Sequence, residues 1–558
     1  MKSSSKIFIF LIIFLGLIST LDLFLRLGHP VTFDGHIHMT TMNQFAQSLR
    51  DGEFPVTWSN NFANFGLPLP LFAHQIPAYL GAILILFGFS TETAFILLIA
   101  FSVILTSLLF YKFFRKFADR TLSFVATIFS IFFPYRSLNI FTRGALPEII
   151  SSIFIPILFL GVWNIHQKNY PKAAILLFLG TFLTALTHPM MIIVFLIPLS
   201  ICFLAFIDKK KWIKQLAILF LSITLGIISA SYYLIPLFLE MKYFFQGSIN
   251  PAISPDKFLS IKQLYDPSWF YTLSHPGPRG NYIKLGTFEF LISIISFVTL
   301  IVLKLKNSKN KNNVANLKKL STWLAMCLLS IILMLPISSF LYSLPIFNQI
   351  QYPWRFLNIL QFLIPGLFVM LALAIPKLQN KKFLFILIIL VIWFRIPQFY
   401  GKNYVSQPES DYEFNKANIH SINMNPVWTG NSEEYPTKTE QAKMIEGDGT
   451  LEFIETKNAS RIYRITANTQ VRMIDYTFYF PGWNIYVNDG STTYPATIEY
   501  QDLNYRGLMT YKLNPGEYIV TVKYEATKTR KLGLVMSIAG MSTTLIYLFY
   551  LWKINKNK

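Results

Sequence analysis

The chain has 558 residues, 53% of them hydrophobic and only 14% charged, with a mean hydropathy of +0.44. That composition excludes an ordinary soluble domain and reads as a polytopic membrane protein. The formal net charge is +21, but its placement along the chain, given below, excludes nucleic acid as its cause.

Twelve apolar runs are read as spans, at about 7–25, 91–111, 121–138, 146–163, 172–187, 189–207, 213–238, 286–303, 320–344, 354–375, 382–398 and 532–552. The first is too long for a signal peptide and no small-residue cleavage site follows it. Cys202 and Cys327 both fall in apolar runs, as core thiols rather than a disulfide. The outer segment 26–90 opens on Thr32-Phe33-Asp34-Gly35-His36-Ile37-His38. A carboxylate and two imidazoles at a membrane boundary are costly to desolvate and mark a working site. An amphipathic helix is expected at 39–51, with Met42, Phe45 and Leu49 on one face, followed by a Pro/Gly-rich aromatic stretch through Phe65-Gly66-Leu67-Pro68. Residues 74–89 are apolar but short of the roughly 20 residues a span needs, so they are read as a re-entrant or interfacial helix.

A second outer segment, 239–285, carries Tyr265-Asp266-Pro267-Ser268-Trp269 and His275-Pro276-Gly277-Pro278-Arg279-Gly280. Residues 304–319 are a solvated Lys/Asn-rich inner loop. From 399 to 529 the pattern changes to period two, as in Arg461-Ile462-Tyr463-Arg464-Ile465, with turns at Pro481-Gly482, Asn488-Asp489-Gly490 and Asn514-Pro515-Gly516. About seven short strands fit a β-sandwich or jelly roll. The expected organisation is a membrane domain over 1–398, a β-domain over 399–529, and a last helix and tail over 530–558.

With the N-terminus inside, the inner segments 1–6, 112–120, 164–172, 208–214, 304–319, 376–382 and 553–558 hold 24 of the 49 Lys and Arg residues, and Asp119 and Asp208 as their only acids. The remainder is balanced at 25 basic and 26 acidic residues. The whole excess lies on one side, as the positive-inside rule requires. The reading is a multi-pass cell-membrane protein with cytoplasmic termini and an extracytoplasmic β-domain.

Several short motifs follow one another in a characteristic order. Asp34-Gly35-His36-Ile37-His38 leads to Gln44-Phe45-Ala46-Gln47-Ser48-Leu49-Arg50-Asp51-Gly52-Glu53-Phe54-Pro55, Phe65-Gly66-Leu67-Pro68-Leu69-Pro70, Tyr79-Leu80 and Phe87-Gly88. Then come Arg143-Gly144-Ala145-Leu146-Pro147-Glu148, Thr187-His188-Pro189, Gln351-Tyr352-Pro353-Trp354-Arg355-Phe356-Leu357 and Phe480-Pro481-Gly482-Trp483. Over most of its length the chain resembles the 6-pyruvoyl-tetrahydropterin synthase-related membrane family, which is similar to GT-C glycosyltransferases; nothing in it suggests pterin chemistry. The resemblance implies a GT-C-like fold and a transferase of cell-envelope polysaccharide biosynthesis. Such an enzyme moves a sugar from a polyprenyl-phosphate donor to a glycan, lipid or protein acceptor at the outer face, among membrane lipids.

That chemistry needs a base for the acceptor hydroxyl and positive charge for the departing phosphate. Asp34 matches the acidic residue that opens the GT-C first outer loop and is the expected base; its other reading is a helix N-cap. Glu148 matches the second acidic residue and is expected as a catalytic acceptor ligand or, with Asp34 and His36, as a ligand of Mg, Mn or Zn; its other reading is a carboxylate at a helix N-terminus. His36 and His38, at i and i+2, share a side only on a strand, and are expected in hydrogen bonding or substrate contact. His188 is either pore-lining or interfacial. Arg143 and Arg355 are outer-side guanidiniums suited to clamp phosphate. Arg355 with Trp354 also fits an interfacial anchor in the aromatic belt. Trp58, Phe62 and Tyr79 are candidates for sugar stacking. Two rivals stand beside this reading: a transporter or flippase for lipid-linked saccharides, which calls for mid-helix ionisable residues and an internal repeat, whereas the polar residues concentrate at the expected outer helix ends and no repeat is seen, and a non-catalytic assembly factor.

Overall fold

The computed structural model describes residues 3–60, 65–244, 257–266, 283–306, 311–413, 425–429, 438 and 440–556. Phe62, Trp269 and the run 275–280 lie outside the described residues. All twelve predicted apolar runs are helical. Among the described residues, seven helices are long and apolar enough to cross a bilayer: Thr91–Phe114, Leu146–His166, Tyr170–Thr187, Trp212–Ser229, Thr287–Leu305, Pro353–Ala374 and Lys528–Lys556. Two bent pairs raise the number to nine: Arg120–Ile131 with Pro134–Arg143 at 43°, and Val314–Ile332 with Pro336–Ser343 at 79°. The other three runs are shorter helices, Lys6–Ile18, Pro189–Ala205 and Lys381–Arg395. At 1.5 Å per residue, helices of 15 and 17 residues reach about 22–26 Å, less than the hydrocarbon core of about 30 Å. Helix Gln75–Leu86, at 12 residues, is shorter still.

The first bend positions the site. Pro134 has no N–H to continue the preceding helix, and the chain restarts there and widens into a π-helical turn over Leu138–Arg143. Gly144 then takes φ +64°, which a side chain would resist, and its α-carbon faces Gly35 so closely that a Cβ would lie 2.7 Å from the Gly35 nitrogen. This close approach lets Asp34 N–H donate to the Arg143 carbonyl (2.8 Å) and Phe33 N–H to that of Thr142 (3.1 Å).

The C-terminal region before the last helix is built from β-strands. A short pair, β1 (His29–Pro30) and β2 (Tyr404–Val405), ties the segment after the first helix to the chain after helix Lys381–Arg395. Eight further strands follow: β3 (Ala442–Glu446), β4 (Gly449–Thr456), β5 (Ser460–Ala467), β6 (Val471–Phe478), β7 (Trp483–Asn488), β8 (Thr493–Pro495), β9 (Leu508–Leu513) and β10 (Gly516–Tyr524). They form two antiparallel sheets, β4-β5-β10-β7-β8 and β3-β6-β9. Tyr463, Ile465, Val487 and Val520 from one sheet and Met473, Met509 and Tyr511 from the other close a single apolar cluster. Alternate residues of β5 are buried, as its period-two pattern requires.

Trp58 is not a sugar platform. It is 0% exposed and inserts from the first outer loop into this cluster, with ring centroids 5.0 Å from Trp483 and 4.9 Å from Tyr524. Asn458 fixes the same loop by donating Nδ2–H to the Trp58 carbonyl (2.8 Å) and its backbone N–H to Asp51 (2.8 Å). Tyr79 is also structural: its hydroxyl accepts the Val56 N–H (2.9 Å) and its ring packs edge-on against Phe45. Trp58→Ala is expected to cost roughly 3–5 kcal/mol, read as a lowered melting temperature of the purified protein. An unchanged melt would mean that loop and sheets unfold independently.

Candidate functional site

Asp34 stands at the N-cap of helix Gly35–Arg50, yet its side chain makes no capping bond. Thr32 Oγ1 accepts the Gly35 N–H instead (3.1 Å). The half-buried Asp34 carboxylate is thus not spent on the helix end, and it interacts electrostatically with the Arg143 guanidinium.

Glu148 is the hub. It is 1% exposed in the first turn of helix Leu146–Ser151, the start of the Leu146–His166 span. Arg143 Nη2 donates to its Oε1 (2.9 Å), Arg355 Nε to the same oxygen (3.3 Å), and the Tyr135 hydroxyl to its Oε2 (2.7 Å). Arg143 Nη1 also donates to the Tyr135 oxygen (2.9 Å) and to Asn139 Oδ1 (2.8 Å). Arg355 Nη1 donates to the Ile350 carbonyl (3.0 Å) and Gln351 Oε1 (3.3 Å). Asn358 Nδ2 holds the Glu148 carbonyl (2.9 Å). One carboxylate therefore aligns two guanidiniums whose residues lie 212 positions apart in the chain.

Arg355 does not snorkel to the surface. It is 7% exposed and lies 5.3 Å from the Tyr352 ring centroid. Trp354 is likewise buried, its ring tilted by 31° against Tyr352 with centroids 4.1 Å apart, so it is neither a belt residue nor an open substrate platform.

A file of imidazoles borders the hub. His38 and His74 have ring centroids 6.2 Å apart, and His74 and His188 4.6 Å apart. Nδ1 of His74 and of His188 is buried without a hydrogen-bond partner. Burial, aided by the Arg143 charge, lowers the His38 pKa to about 4; burial, then His38 and Arg355, lowers that of His74 to about 3. Both are neutral at pH 7. In the unfolded chain each imidazole binds its proton near pH 6.5, so stability is full above that pH and falls as pH drops from about 6.5 toward 4 and then 3. The melting temperature is expected to decline across that window, and less steeply in His38→Gln. An identical slope in that variant would contradict the assignment.

His36 points elsewhere. The chain is helical from Gly35, so positions i and i+2 fall on different faces. Its ring lies 5.5 Å from Tyr412 and it bonds Gln407, beside a network in which Glu92 accepts from Tyr412 OH (2.8 Å) and pairs with His29 (3.1 Å). The expected metal set of Asp34, Glu148 and His36 is therefore not brought together. Glu148 already meets two guanidiniums and a phenol, and among the described residues no three His, Cys, Asp or Glu side chains group to hold a metal. The donor set does not fit a divalent cation.

Sequence reasoning missed Tyr135, Asn139, His74 and Asn358. Their one signal was polarity next to an apolar run. It also missed Arg136, 4% exposed within the bent span, whose Nε and Nη2 donate to Gln361 Oε1 (3.2 and 3.0 Å). Arg136, Gln361 and Glu148 line a cavity of about 10 Å³, room for roughly one water. Ionisable groups thus extend into the bent helix pair as well as standing at helix ends.

A family model described as "6-pyruvoyl-tetrahydropterin synthase related domain; membrane protein" matches residues 74–400. The matched region includes Arg143, Glu148, His188, Trp354 and Arg355 and begins after Asp34, His36 and His38. No curated protein matches the chain.

Proposed function

The chain belongs to the 6-pyruvoyl-tetrahydropterin synthase related family of membrane proteins, and from that premise we propose that it is a GT-C-like membrane glycosyltransferase. In this reading it crosses the membrane twelve times with both termini cytoplasmic, and carries an extracytoplasmic β-sandwich before the last helix. The donor is a polyprenyl-phosphate sugar, and the acceptor a glycan, lipid or protein hydroxyl.

The observation that carries the reading is the docking of Asp34 against Arg143, which shares Glu148 with Arg355. A carboxylate placed to take a proton thus adjoins two aligned phosphate-binding cations. In the reaction the acceptor hydroxyl attacks the anomeric carbon and its proton passes to Asp34. The bond from that carbon to the phosphate oxygen breaks, and the electron pair leaves with the polyprenyl phosphate. Arg143 and Arg355 stabilise the charge that develops on that oxygen. Glu148 is a positioning residue rather than a metal ligand, and the neutral imidazoles of His38, His74 and His188 line the wall without adding charge. No metal step is included.

Polyprenyl phosphate alone should raise the melting temperature of the purified protein, and Arg355→Gln should weaken that binding roughly tenfold, the value of a lost charge-assisted hydrogen bond. EDTA should change neither. Equal binding by the variant would overturn the phosphate role. One observation favours a second reading, translocation of a lipid-linked saccharide: Arg136, buried within a bent span, has the placement of a residue on a polar path.

A further inference from the structure

On the face opposite this site, the loop after helix Pro189–Ala205 runs into helix Trp212–Ser229 and makes an open cavity of about 500 Å³. Lys209, Lys210, Lys211 and Lys214 line it, with Tyr170 and Trp212. The acid of that loop, Asp208, accepts the Lys210 N–H (3.0 Å), pairs with Lys168 outside the lining (3.4 Å) and also interacts electrostatically with Lys211, so a single carboxylate faces four lining lysines. Lys214 Nζ lies 4.8 Å from the Tyr170 ring centroid. Tyr170 is 7% exposed, and its hydroxyl is buried without a hydrogen-bond partner. A phenol donor and a cluster of ammonium groups suit one ligand chemistry, a phosphate anion.

The surface next to the lysines narrows the source of that phosphate. Ile213, Leu216, Phe220 and Leu221 are between 41% and 66% exposed. Leu216, Phe220 and Leu221 follow Ile213 by three, seven and eight residues, which places all four in one stripe along the helix. A soluble phosphate has no use for such a stripe, whereas an acyl chain has. We propose that Lys209, Lys210, Lys211 and Lys214, with Tyr170, bind the phosphate headgroup of an anionic phospholipid whose acyl chain lies along Ile213, Leu216 and Phe220. The inner leaflet follows from the proposed topology, and the site does not depend on sugar transfer. Juxtamembrane lysine clusters draw anionic lipid by attraction that adds up per residue.

The test uses the full chain purified in detergent and titrated with phosphatidylglycerol or phosphatidylcholine, with bound lipid counted by native mass spectrometry. Variants are used only if monodisperse, so that altered insertion does not enter. Phosphatidylglycerol is expected to bind roughly tenfold or more tightly than phosphatidylcholine. The combined Lys209→Gln, Lys210→Gln, Lys211→Gln and Lys214→Gln variant should lose that preference. Tyr170→Phe should weaken phosphatidylglycerol a few-fold while leaving all charges in place, about what one hydrogen bond supplies. A control variant, Lys377→Gln with Lys381→Gln and Lys382→Gln, should bind as wild type does. Equal loss in the control, or no preference in wild type, would overturn the site. Displacement of the lipid by millimolar inorganic phosphate would overturn the lipid as its source.

Discussion

Glu148→Ala is expected to destabilise the protein by roughly 3–5 kcal/mol, because it leaves two guanidiniums buried without their shared anion. The carboxylate is 1% exposed and accepts from Arg143, Arg355 and Tyr135. Glu148→Gln should be milder, since an amide oxygen still accepts one hydrogen bond but supplies no charge. Both would be read as melting temperatures of the purified protein with and without polyprenyl phosphate. If Glu148→Ala melts like wild type, the hub does not hold the two arginines together. If it is destabilised yet regains stability on adding polyprenyl phosphate, the phosphate replaces the missing anion, which is the outcome the proposed donor site predicts.

Asp34→Asn carries the second large effect. Sugar transfer should fall roughly 10²- to 10⁴-fold, the range that general-base catalysis supplies. Stability should fall by less than in Glu148→Ala, since Thr32 and not Asp34 caps the helix at Gly35 and the amide removes only the Asp34 charge beside Arg143. The loss should appear in kcat, with binding of polyprenyl phosphate kept, because the carboxylate acts on the acceptor hydroxyl. A variant that folds, binds and transfers as wild type does would remove Asp34 from the chemistry.

Much of the architecture was legible because the bilayer leaves so few options. An apolar run that cannot hydrogen-bond to lipid must satisfy its backbone internally, so the predicted runs fall on helices, of which seven, or nine with the two bent pairs, are long and apolar enough to cross. Where each helix breaks was less legible. Pro134 and Pro336 announce a possible interruption, but the bends of 43° and 79° depend on what packs around them. The strands were legible where one face is buried, as in β5, where Tyr463 and Ile465 point into the shared cluster. That Trp58, some 400 residues earlier in the sequence, fills part of the same cluster was not, because nothing local distinguishes a core tryptophan from a sugar-stacking one.

The site divides in the same way. Arg143, Glu148 and Arg355 stood out because charge beside apolar sequence must find a partner. Which partner it finds is a long-range fact: Arg355 and Glu148 are 207 residues apart. The metal set was assembled from ligand types without counting the arginines, and those arginines now surround Glu148. The fate of His36 and His38 turned on one local detail, the Thr32 hydroxyl that starts the helix at Gly35 and sends the two rings to different walls.

The central claim is transfer rather than translocation. The most direct measurement incubates purified wild-type protein and Asp34→Asn, each in vesicles with a panel of labelled polyprenyl-phosphate sugars and candidate acceptors. It follows both the label on the acceptor and the side of the membrane on which the lipid-linked sugar resides. The account predicts that wild type moves the label from at least one donor to an acceptor, releasing polyprenyl phosphate, and that Asp34→Asn does so at least about a hundredfold more slowly. Lipid-linked sugar that changes leaflet with its glycosidic bond to phosphate intact, and no labelled acceptor from any donor, would contradict it.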